Sequence, residues 1–189
     1  MSILATQYCT IVLQTLITSK TRIKLLMKFF LNSRTTSYLR DLESEFGEST
    51  NAIRMELNRL EQTGLLRSHK EGNKKIFQAN SKHPLFGDIH NILLKHTGID
   101  HIVDKVIANL GGLASAFLVG RFARGQDSPV IDILLVGRDI DMGYLHKVVE
   151  KAEQFISRRI RYMIIDPADA PELLSSYPEA LLLWQGKER

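Results

Sequence analysis

The sequence contains almost no cysteine and none of the residue spacings that bind zinc. Cys9 is the only cysteine among 189 residues, so an internal disulfide is excluded, which suits a reducing compartment without requiring one. The six histidines show no zinc-ligand spacing with a cysteine. His96 and His101 lie near each other, but no carboxylate or thiolate stands beside them at ligand spacing. We therefore expect no metal site and no cofactor.

Long uninterrupted hydrophobic runs are also missing. Residues 1–19 carry no charged side chain, yet Thr and Gln interrupt their apolar positions. No basic region precedes these positions and no small-residue cleavage site is evident, so we expect no export signal. The stretch is too short to span a bilayer, and we expect a cytoplasmic protein without membrane contact. The apolar positions that fit a helix are Ile3, Leu4, Tyr8, Ile11, Val12 and Leu16. The apolar face of such a helix has to be buried, either against its own domain or against a second copy of the chain.

Charge is distributed unevenly along the chain. The formal net charge is +4, and the hydrophobic content of 44% is ordinary for a soluble globular protein. Residues 20–80 hold 12 Lys and Arg against 7 Asp and Glu, whereas residues 81–189 hold 13 against 14. A basic excess confined to one segment of the chain is typical of a segment that binds nucleic acid. The length suffices for two small domains or one of medium size.

Residues 47–64 predict a short turn followed by a helix with two distinct faces. Ser49 or Thr50 can cap the helix, because a hydroxyl oxygen accepts a hydrogen bond from a free backbone N–H of the first turn. Gly64 suits the helix end, where the backbone often turns left-handed. The apolar stripe consists of Ile53, Leu57 and Leu60. The opposite face carries Asn51, Met55, Asn58 and Gln62, and Arg54 and Arg59 flank it. Asn can pair with adenine edges and Arg with guanine or phosphate, although a solvated helix face has the same pattern.

A basic hairpin follows this helix. Residues 66–70 and 74–78 flank Glu71-Gly72-Asn73, and Gly and Asn favour a tight reversal. Three lysines cluster near the tip: Lys70, Lys74 and Lys75. Lysines on a projecting loop suit phosphate contact, which fixes register but carries no sequence information. An exposed loop kept soluble by its charge would look the same.

Two further helices are predicted before this segment. The buried stripe of the first consists of Ile23, Leu26, Met27, Phe30 and Leu31. The second is marked by Tyr38, Leu39, Leu42 and Phe46. Residues 35–37, Thr-Thr-Ser, are the cap region expected to open the second helix.

Three helices and a hairpin in this order, over residues 20–80, resemble the winged helix-turn-helix of ArsR-like bacterial regulators. The resemblance implies that the third helix enters the major groove while the hairpin, or wing, lies along the backbone. The implied DNA contacts are Ser49, Thr50, Asn51, Arg54, Met55, Asn58 and Arg59 on the helix and Lys70, Lys74 and Lys75 on the wing. Thr36 and Ser37, at the start of the second helix, would reach phosphate through backbone N–H groups. ArsR-like regulators are usually dimers, which favours a homodimer that reads two half-sites about one helical turn apart. The cysteine-rich sites of its metal-sensing members have no counterpart here.

The second half begins with helices and changes to strands. One helix is predicted through Leu85, Phe86, Ile89, Ile92 and Leu93, and another around Ile102, Val103, Val106 and Ile107. Gly111-Gly112 breaks the pattern. Short apolar runs at residues 114–119, 130–136 and 160–165 then predict strands. A helical stripe lies between the last two: Leu145, Val148, Val149, Ala152, Phe155 and Ile156. This alternation indicates an α/β layer with a covered sheet, on which the tail from Tyr177 to Trp184 is expected to pack.

The run FLVGRFARGQDSPVIDILLVG, residues 117–137, is similar to the nucleotidyltransferase fold of the minimal bacterial type. That fold places Gly-Ser at the end of one strand and an Asp-x-Asp pair on the next, where two carboxylates on one strand face hold divalent metal. Gly120 and the IDILLVG run match this pattern. Arg121 stands where Ser is expected, and Val130 stands where the first Asp is expected, which leaves Asp132 alone. The resemblance, over about residues 112–166, therefore implies a domain without transferase activity, and we expect the chain not to be an enzyme.

The same run suggests a ligand site. Arg121 and Arg124 could hold an anionic or nucleotide-like effector, because Gly120 and Gly125 permit close backbone approach. Asp132 is either part of such a remnant pocket or a capped or solvated strand residue. A surface salt bridge is an equally good interpretation of either arginine.

Together these patterns predict an α/β protein, namely an α+β winged helix followed by a small α/β nucleotidyltransferase-like domain. The expected boundaries are residues 1–83 for the N-terminal helix and winged helix, 84–110 for a helical connector and 111–189 for an inactive second domain. The predicted function is a dimeric transcriptional regulator of double-stranded DNA, whose second domain senses a ligand, receives a partner or supports the dimer. One alternative is an active nucleotidyltransferase whose metal site joins Asp132 to Asp127 or Asp166. Another is an interaction module whose wing contacts protein.

Overall fold

Helices and two separate sheets make up the structure, a computed structural model that describes residue 13, residues 15–156 and residues 158–186. The predicted N-terminal helix lies outside the described residues except for its end, as does Cys9, so the dimer contact assigned to that helix stays a prediction. Among the described residues, no helix combines the length and the hydropathy needed to cross a bilayer.

The N-terminal part, residues 20–79, contains three helices and a three-stranded antiparallel sheet. Its elements are helix α1 (Lys20–Phe30), strand β1 (Thr36–Tyr38), helices α2 (Leu39–Phe46) and α3 (Thr50–Gln62), and strands β2 (Leu66–Glu71) and β3 (Lys74–Ala79). The strand order is β1-β3-β2. Three helices and a hairpin thus occur in the order that the sequence predicts. Glu71 pairs with Lys74 across the hairpin tip, where Gly72 has a φ of 56° that favours glycine.

Strand β1 replaces the predicted cap region of the second helix. Thr36 pairs with Gln78 and Ser37 with Phe77, so both residues belong to the sheet. Helix α2 begins only at Leu39. The prediction that Thr36 and Ser37 start this helix is therefore wrong, because β-branched and aromatic residues next to a partner strand favour extended backbone over a cap.

Helix α1 is buried over more of its circumference than its predicted stripe. Leu25 and Phe29 are both 0% exposed, although neither lies on that stripe. The helix packs against α3 on one side and against the first helix of the second half on another. Phe30 stacks on Phe86 with 5.5 Å between the ring centroids. A helix enclosed in this way does not follow the one-sided pattern of a surface helix.

The second half begins with two helices and continues as a four-stranded mixed sheet with helices. Its elements are α4 (Phe86–Thr97), α5 (Ile99–Lys105), a 3-10 turn (Ile107–Asn109), β4 (Leu113–Val119), α6 (Gly120–Ala123), β5 (Val130–Gly137), α7 (Met142–Ile156), β6 (Arg159–Ile165), α8 (Ala170–Ser175) and β7 (Leu181–Gln185). The strand order is β6-β5-β4-β7, in which only β5 and β6 are parallel. The predicted α/β class is confirmed.

Two details differ from the sequence predictions for this half. The tail contributes an edge strand, β7, that pairs antiparallel with β4, where only packing was expected. Ile92 is 48% exposed and does not belong to the core stripe of α4. The tail run Leu-Leu-Leu-Trp has no alternation, so periodicity alone could not identify it as a strand.

Close contacts join the N-terminal part to the C-terminal part, residues 113–185. The Asn32 side-chain amide, 3% exposed, donates to the carbonyls of Ala123 at 3.0 Å and Glu179 at 2.9 Å. Gly125 has a φ of 73°, and a Cβ there would lie 2.4 Å from the Lys28 Cα. The loop after β4 therefore lies directly against α1.

Candidate nucleic-acid interface and strand-end cleft

Helix α3 starts at a well-formed cap. The Ser49 hydroxyl accepts a hydrogen bond from the Ala52 backbone N–H at 3.2 Å, so Ser49, and not Thr50, is the capping residue. Gly47 ends α2 with a φ of 62°, in the left-handed region. Residues 47–49 thus form the short turn that sets α3 against α2.

The outer face of α3 carries the side chains that the sequence predicts for it. The exposed positions are Asn51, Arg54, Met55, Asn58 and Arg59. Asn51 contacts the Met55 sulfur at 4.0 Å, and Arg59 reaches Glu56 at 3.5 Å. Arg54 has no ion pair or side-chain hydrogen bond among the described residues. Its guanidinium therefore has all its donors available.

The inner face of α3 contains a buried carboxylate that the apolar stripe did not predict. Glu56 is 6% exposed and accepts hydrogen bonds from Arg22 Nε at 2.8 Å and from its terminal nitrogen at 3.1 Å. Burial raises the pKa of Glu56, but hydrogen bonds from Arg22 and Ser19 and the positive charges nearby outweigh it and hold the pKa below its ordinary value. Its position three residues after Ile53, on the buried side, was the available signal.

A lysine of α1 donates hydrogen bonds to the turn that precedes α3. Lys24 Nζ donates to the Phe46 carbonyl at 3.0 Å and to Glu48 Oε1 at 2.7 Å. Thr21 donates to the same carboxylate. The hydrogen bond from Lys24 lowers the pKa of Glu48, with a further contribution from Thr21. The start of α3 is thus fixed to α1 by polar contacts as well as by packing.

The three hairpin lysines lie in different surroundings. Lys75 Nζ contacts Glu61 Oε2 of α3 at 2.6 Å, and hydrogen bonds from Lys75 and Ser68 lower the pKa of Glu61. Lys74 Nζ lies 4.0 Å from the centroid of the Tyr38 ring. Lys70 is exposed, and the described residues offer it no ion pair. Lys70 and Lys74 can therefore reach an outside anion more freely than Lys75.

A groove of about 820 Å³ runs between α3 and the hairpin. We call it the basic groove. Its polar walls are formed by Tyr38, Arg40, Arg54, Asn58, Asn73, Lys74 and Lys75. Four of its lining residues are cations and none is a carboxylate. The sequence analysis missed Arg40, because a single arginine in the first turn of α2 carries no local signal of where it lies in space.

Thr36 and Ser37 occupy different positions relative to this groove. Thr36 is exposed on the edge strand β1. Ser37 is 6% exposed and faces inward, opposite Phe77. The Ser37 side chain is therefore buried, and neither residue presents the helix N-terminus through which phosphate contact was predicted.

A second site lies at the end of strand β4, in a cleft of about 410 Å³ that we call the strand-end cleft. Gly120 and Asp132 form part of its wall, together with Arg161 and Tyr177. Arg161 Nε donates to Asp132 Oδ1 at 2.5 Å, and this hydrogen bond raises the pKa of Arg161. A Cβ at residue 120 would lie 2.7 Å from Asp132 Oδ2, and the φ of 67° there also favours glycine. Gly120 is thus required for the approach of the Asp132 carboxylate.

The four predicted ligand residues fall in three places. Gly120 and Asp132 share the strand-end cleft, whereas Arg121 lines a separate cavity that faces the N-terminal part. Arg124 lies 4.0 Å from Glu179. Because residues 120–123 form a helical turn, successive side chains leave it in different directions.

The carboxylates named for a rearranged metal site are each paired with an arginine. Asp127 contacts Arg158 at 2.6 Å. Asp166 accepts two hydrogen bonds from Arg138, at 2.8 and 2.9 Å, which lower the pKa of Asp166 to about 2. Within the described residues, no group of three or more His, Cys, Asp or Glu side chains could hold a metal ion. The donors there do not fit the pair of Mg²⁺ ions that the nucleotidyltransferase resemblance implies.

Comparisons with known proteins give matches to solved structures alone. No protein-family model matches the chain, and no curated protein matches it significantly. A protein from Sulfolobus solfataricus that is assigned as a nucleotidyltransferase is 21% identical, covers 48% of this chain and 80% of its own, and gives a TM-score of 0.34. A mutant of the toxin–antitoxin MntA-HpeT is 17% identical over 47% of this chain and 73% of its own, with a TM-score of 0.37. A tri-AMPylated HEPN toxin in complex with MNT antitoxin from Shewanella oneidensis is 17% identical, covering 48% and 71%, with a TM-score of 0.34.

These matches correct one expectation and leave another as a proposal. The prediction that the chain is not an enzyme is corrected, because the solved structures that it matches include a protein assigned as a nucleotidyltransferase and a complex with a tri-AMPylated toxin. None of the three is described as a DNA-binding regulator. The predicted regulatory role therefore depends on the geometry of the N-terminal part.

Proposed function

We propose that the protein is a cytoplasmic transcriptional regulator that binds double-stranded DNA through α3 and the β2–β3 hairpin, in the manner of a winged helix. The observation that carries the proposal is the basic groove, whose lining contains four cations, of which Lys75 is paired with Glu61, and no carboxylate. A cleft of one sign of charge attracts the phosphate backbone and raises the association rate. Arg54 and Asn58 of α3 line this groove and supply donors and acceptors of the kind that base edges require.

The proposed contacts divide into two classes. Asn51, Arg54 and Asn58 read base edges, because they are exposed on one face of a helix that suits the major groove. Lys70 and Lys74 contact phosphates along the neighbouring backbone. The remaining predicted contacts have weaker roles. The Ser49 hydroxyl already caps the helix, and Arg59 and Lys75 already contact carboxylates. Thr36 and Thr50 adjoin the surface, and Met55 offers apolar contact.

The organisation of the whole chain belongs to the same proposal. Residues 1–83 would bind DNA, residues 84–110 would connect, and residues 111–189 would form the nucleotidyltransferase-like domain. A homodimer would place two α3 helices in successive major grooves, about one helical turn apart. Half-site spacing in the selected DNA would report this symmetry directly.

Selection of bound duplexes from random DNA, followed by fluorescence anisotropy, tests the proposal. We expect the selected sequence to bind more tightly than random DNA, and the affinity to fall with salt by a slope of about −0.9 per phosphate contacted. Absence of binding at low salt would contradict the proposal.

Two variants separate base reading from phosphate contact. Arg54→Ala should cost about 1–3 kcal/mol on the selected site and relax the base preference at one position. Lys74→Ala should weaken binding to all DNA sequences alike and reduce the slope of affinity against salt concentration by about 1. If both variants act equally on every sequence, Arg54 does not read a base.

A second candidate function is nucleotidyl transfer to a protein, drug or RNA at the strand-end cleft. The observation that favours it is Asp132, which stands beside Gly120 in a cleft of about 410 Å³, a volume within the range of small-molecule sites. Labelled nucleotide transfer in Mg²⁺ or Mn²⁺ tests this function separately. Turnover that Asp132→Ala abolishes would establish a transferase, and its absence from the wild-type protein would reject this candidate.

A further inference from the structure

A cavity of about 350 Å³ lies where the loop after β4 meets α1 and α2. We call it the junction cavity. It is lined from the N-terminal part by Lys24, Met27, Glu45 and Phe46, and from the C-terminal part by Arg121 and Gln126 among others. Its volume falls in the range of small-molecule sites, and it is separate from both the basic groove and the strand-end cleft.

The two carboxylates at the junction cavity already have cationic partners. Glu45 contacts Lys28 through Oε2 at 2.6 Å, while its buried Oε1 has no hydrogen-bond partner among the described residues. Asp127 contacts Arg158 at 2.6 Å. Arg121, by contrast, is exposed and makes no ion pair or side-chain hydrogen bond among the described residues. The cavity therefore presents one uncompensated positive charge.

A second cation, Lys24, lines the cavity, and its charge is paired with that of Glu48. Lys24 Nζ uses two of its three donors, on the Phe46 carbonyl and on Glu48. The third donor has no hydrogen-bond partner among the described residues. An oxyanion in the cavity would therefore meet a planar guanidinium and an ammonium, and both groups bind phosphate.

Apolar side chains complete the cavity. Met27, which is 3% exposed, and the half-buried Phe46 are both among the lining residues. A bare oxyanion would leave most of a volume of about 350 Å³ unfilled and these apolar walls uncovered. The ligand that fits therefore combines an oxyanion with a larger, partly apolar body.

We propose that the junction cavity binds a mononucleotide, whose phosphate contacts Arg121 and Lys24 and whose base lies against Met27 and Phe46. Lys24 also holds the turn that positions α3, so the bound phosphate joins the C-terminal part to the start of the DNA-reading helix. Occupancy of the cavity then changes DNA affinity. This regulatory consequence depends on the DNA-binding function proposed above, whereas the binding site itself does not.

Calorimetric titration of the full chain with AMP, without DNA, tests the site. We expect AMP to bind, and both adenosine, which lacks the anion, and inorganic phosphate, which lacks the base, to bind at least about tenfold more weakly. Arg121→Ala should weaken AMP binding by at least about tenfold. Arg124→Ala is the matched control, because Arg124 leaves the same turn outside the cavity and should change AMP affinity less than about twofold.

Several results would overturn the site: no heat from AMP, equal affinity for adenosine, or equal effects of the two arginine variants. The regulatory part is tested by repeating the DNA titration with saturating AMP. We expect the DNA dissociation constant to change by about fivefold or more, and the change to disappear in Arg121→Ala. AMP binding without any DNA binding would contradict the proposed function alone, and DNA binding unaffected by bound AMP would contradict the regulation alone.

Discussion

At the scale of single residues, Glu56 shows how the polar and buried faces of α3 are fixed relative to each other. A carboxylate on the inner face of a helix is tolerated only when it is paired and hydrogen-bonded. Arg22 supplies both interactions, with two nitrogens within 3.1 Å of the two Glu56 oxygens. This contact lies on the same face of α3 as the buried Ile53 and Leu57, so that Arg54 and Asn58 face outward.

Arg22→Met should destabilise the fold measurably. The variant leaves the buried Glu56 carboxylate without its main partner, and we expect a loss of about 1–3 kcal/mol in the free energy of unfolding. Urea denaturation at neutral pH measures it. Arg54→Met is the control, because Arg54 is exposed and unpaired among the described residues, and it should stay within about 0.5 kcal/mol of wild type. Equal losses in both variants would contradict the anchoring role of Arg22.

The same scale shows why the ligand residues could be only partly predicted. The sequence placed Asp132 and Arg121 near one pocket, because both adjoin Gly120 in the matched pattern. The parallel register of β5 and β6 sets Arg161 opposite Asp132, and this register is a long-range property that no local motif contains. Arg121 turns toward α1 instead, because residues 120–123 are helical.

At the scale of elements, the sequence predicted the helices and strands whose signals lie within a few neighbouring residues. Helix α3 and the β2–β3 hairpin were predicted because a cap, a one-sided stripe and a Gly-Asn reversal act within a few residues. Strands β1 and β7 were not, since each acquires its conformation by pairing with a distant strand. Helix α1 was predicted as amphipathic but is buried on several sides, because elements from both parts of the chain cover it.

The contact between α1 and the loop after β4 leads to a prediction at this scale. Gly125→Ala should reduce stability by at least about 1–3 kcal/mol, because its backbone has a positive φ and the new Cβ would overlap the Lys28 backbone. Urea denaturation again provides the measurement. Gly111→Ala provides the control, since nothing lies within 4 Å of a Cβ there and its φ is not positive. A neutral Gly125→Ala variant would show that the two parts do not meet at this point.

At the scale of the whole molecule, three carboxylates of the N-terminal part have lowered pKa values: Glu48, Glu56 and Glu61. A carboxyl group whose pKa is lower in the folded than in the unfolded chain stabilises the fold fully above its unfolded pKa. That contribution is lost as the pH falls through the folded pKa. The ordinary value for these groups is 4.5, so the loss begins near that pH and continues below it.

Acid should therefore destabilise the protein progressively from about pH 5 downward. Urea denaturation at a series of pH values measures the free energy of unfolding. This free energy should fall more steeply with decreasing pH for wild type than for Glu56→Gln, because glutamine does not titrate. The exposed Glu150 on α7 gives the matched control, Glu150→Gln, whose pH dependence should follow that of wild type. Superimposable curves for all three proteins would contradict the role of Glu56.

The account as a whole depends on whether the basic groove is the surface that contacts DNA. The most direct measurement compares two double charge reversals by DNA titration at one salt concentration: Arg54→Glu with Lys74→Glu in the groove, and Lys147→Glu with Lys151→Glu on the exposed side of α7. Both proteins undergo the same change in net charge. We predict that the groove variant loses at least about a hundredfold in affinity while the α7 variant stays within about threefold of wild type. Equal losses in the two variants, or an unchanged groove variant, would contradict the account.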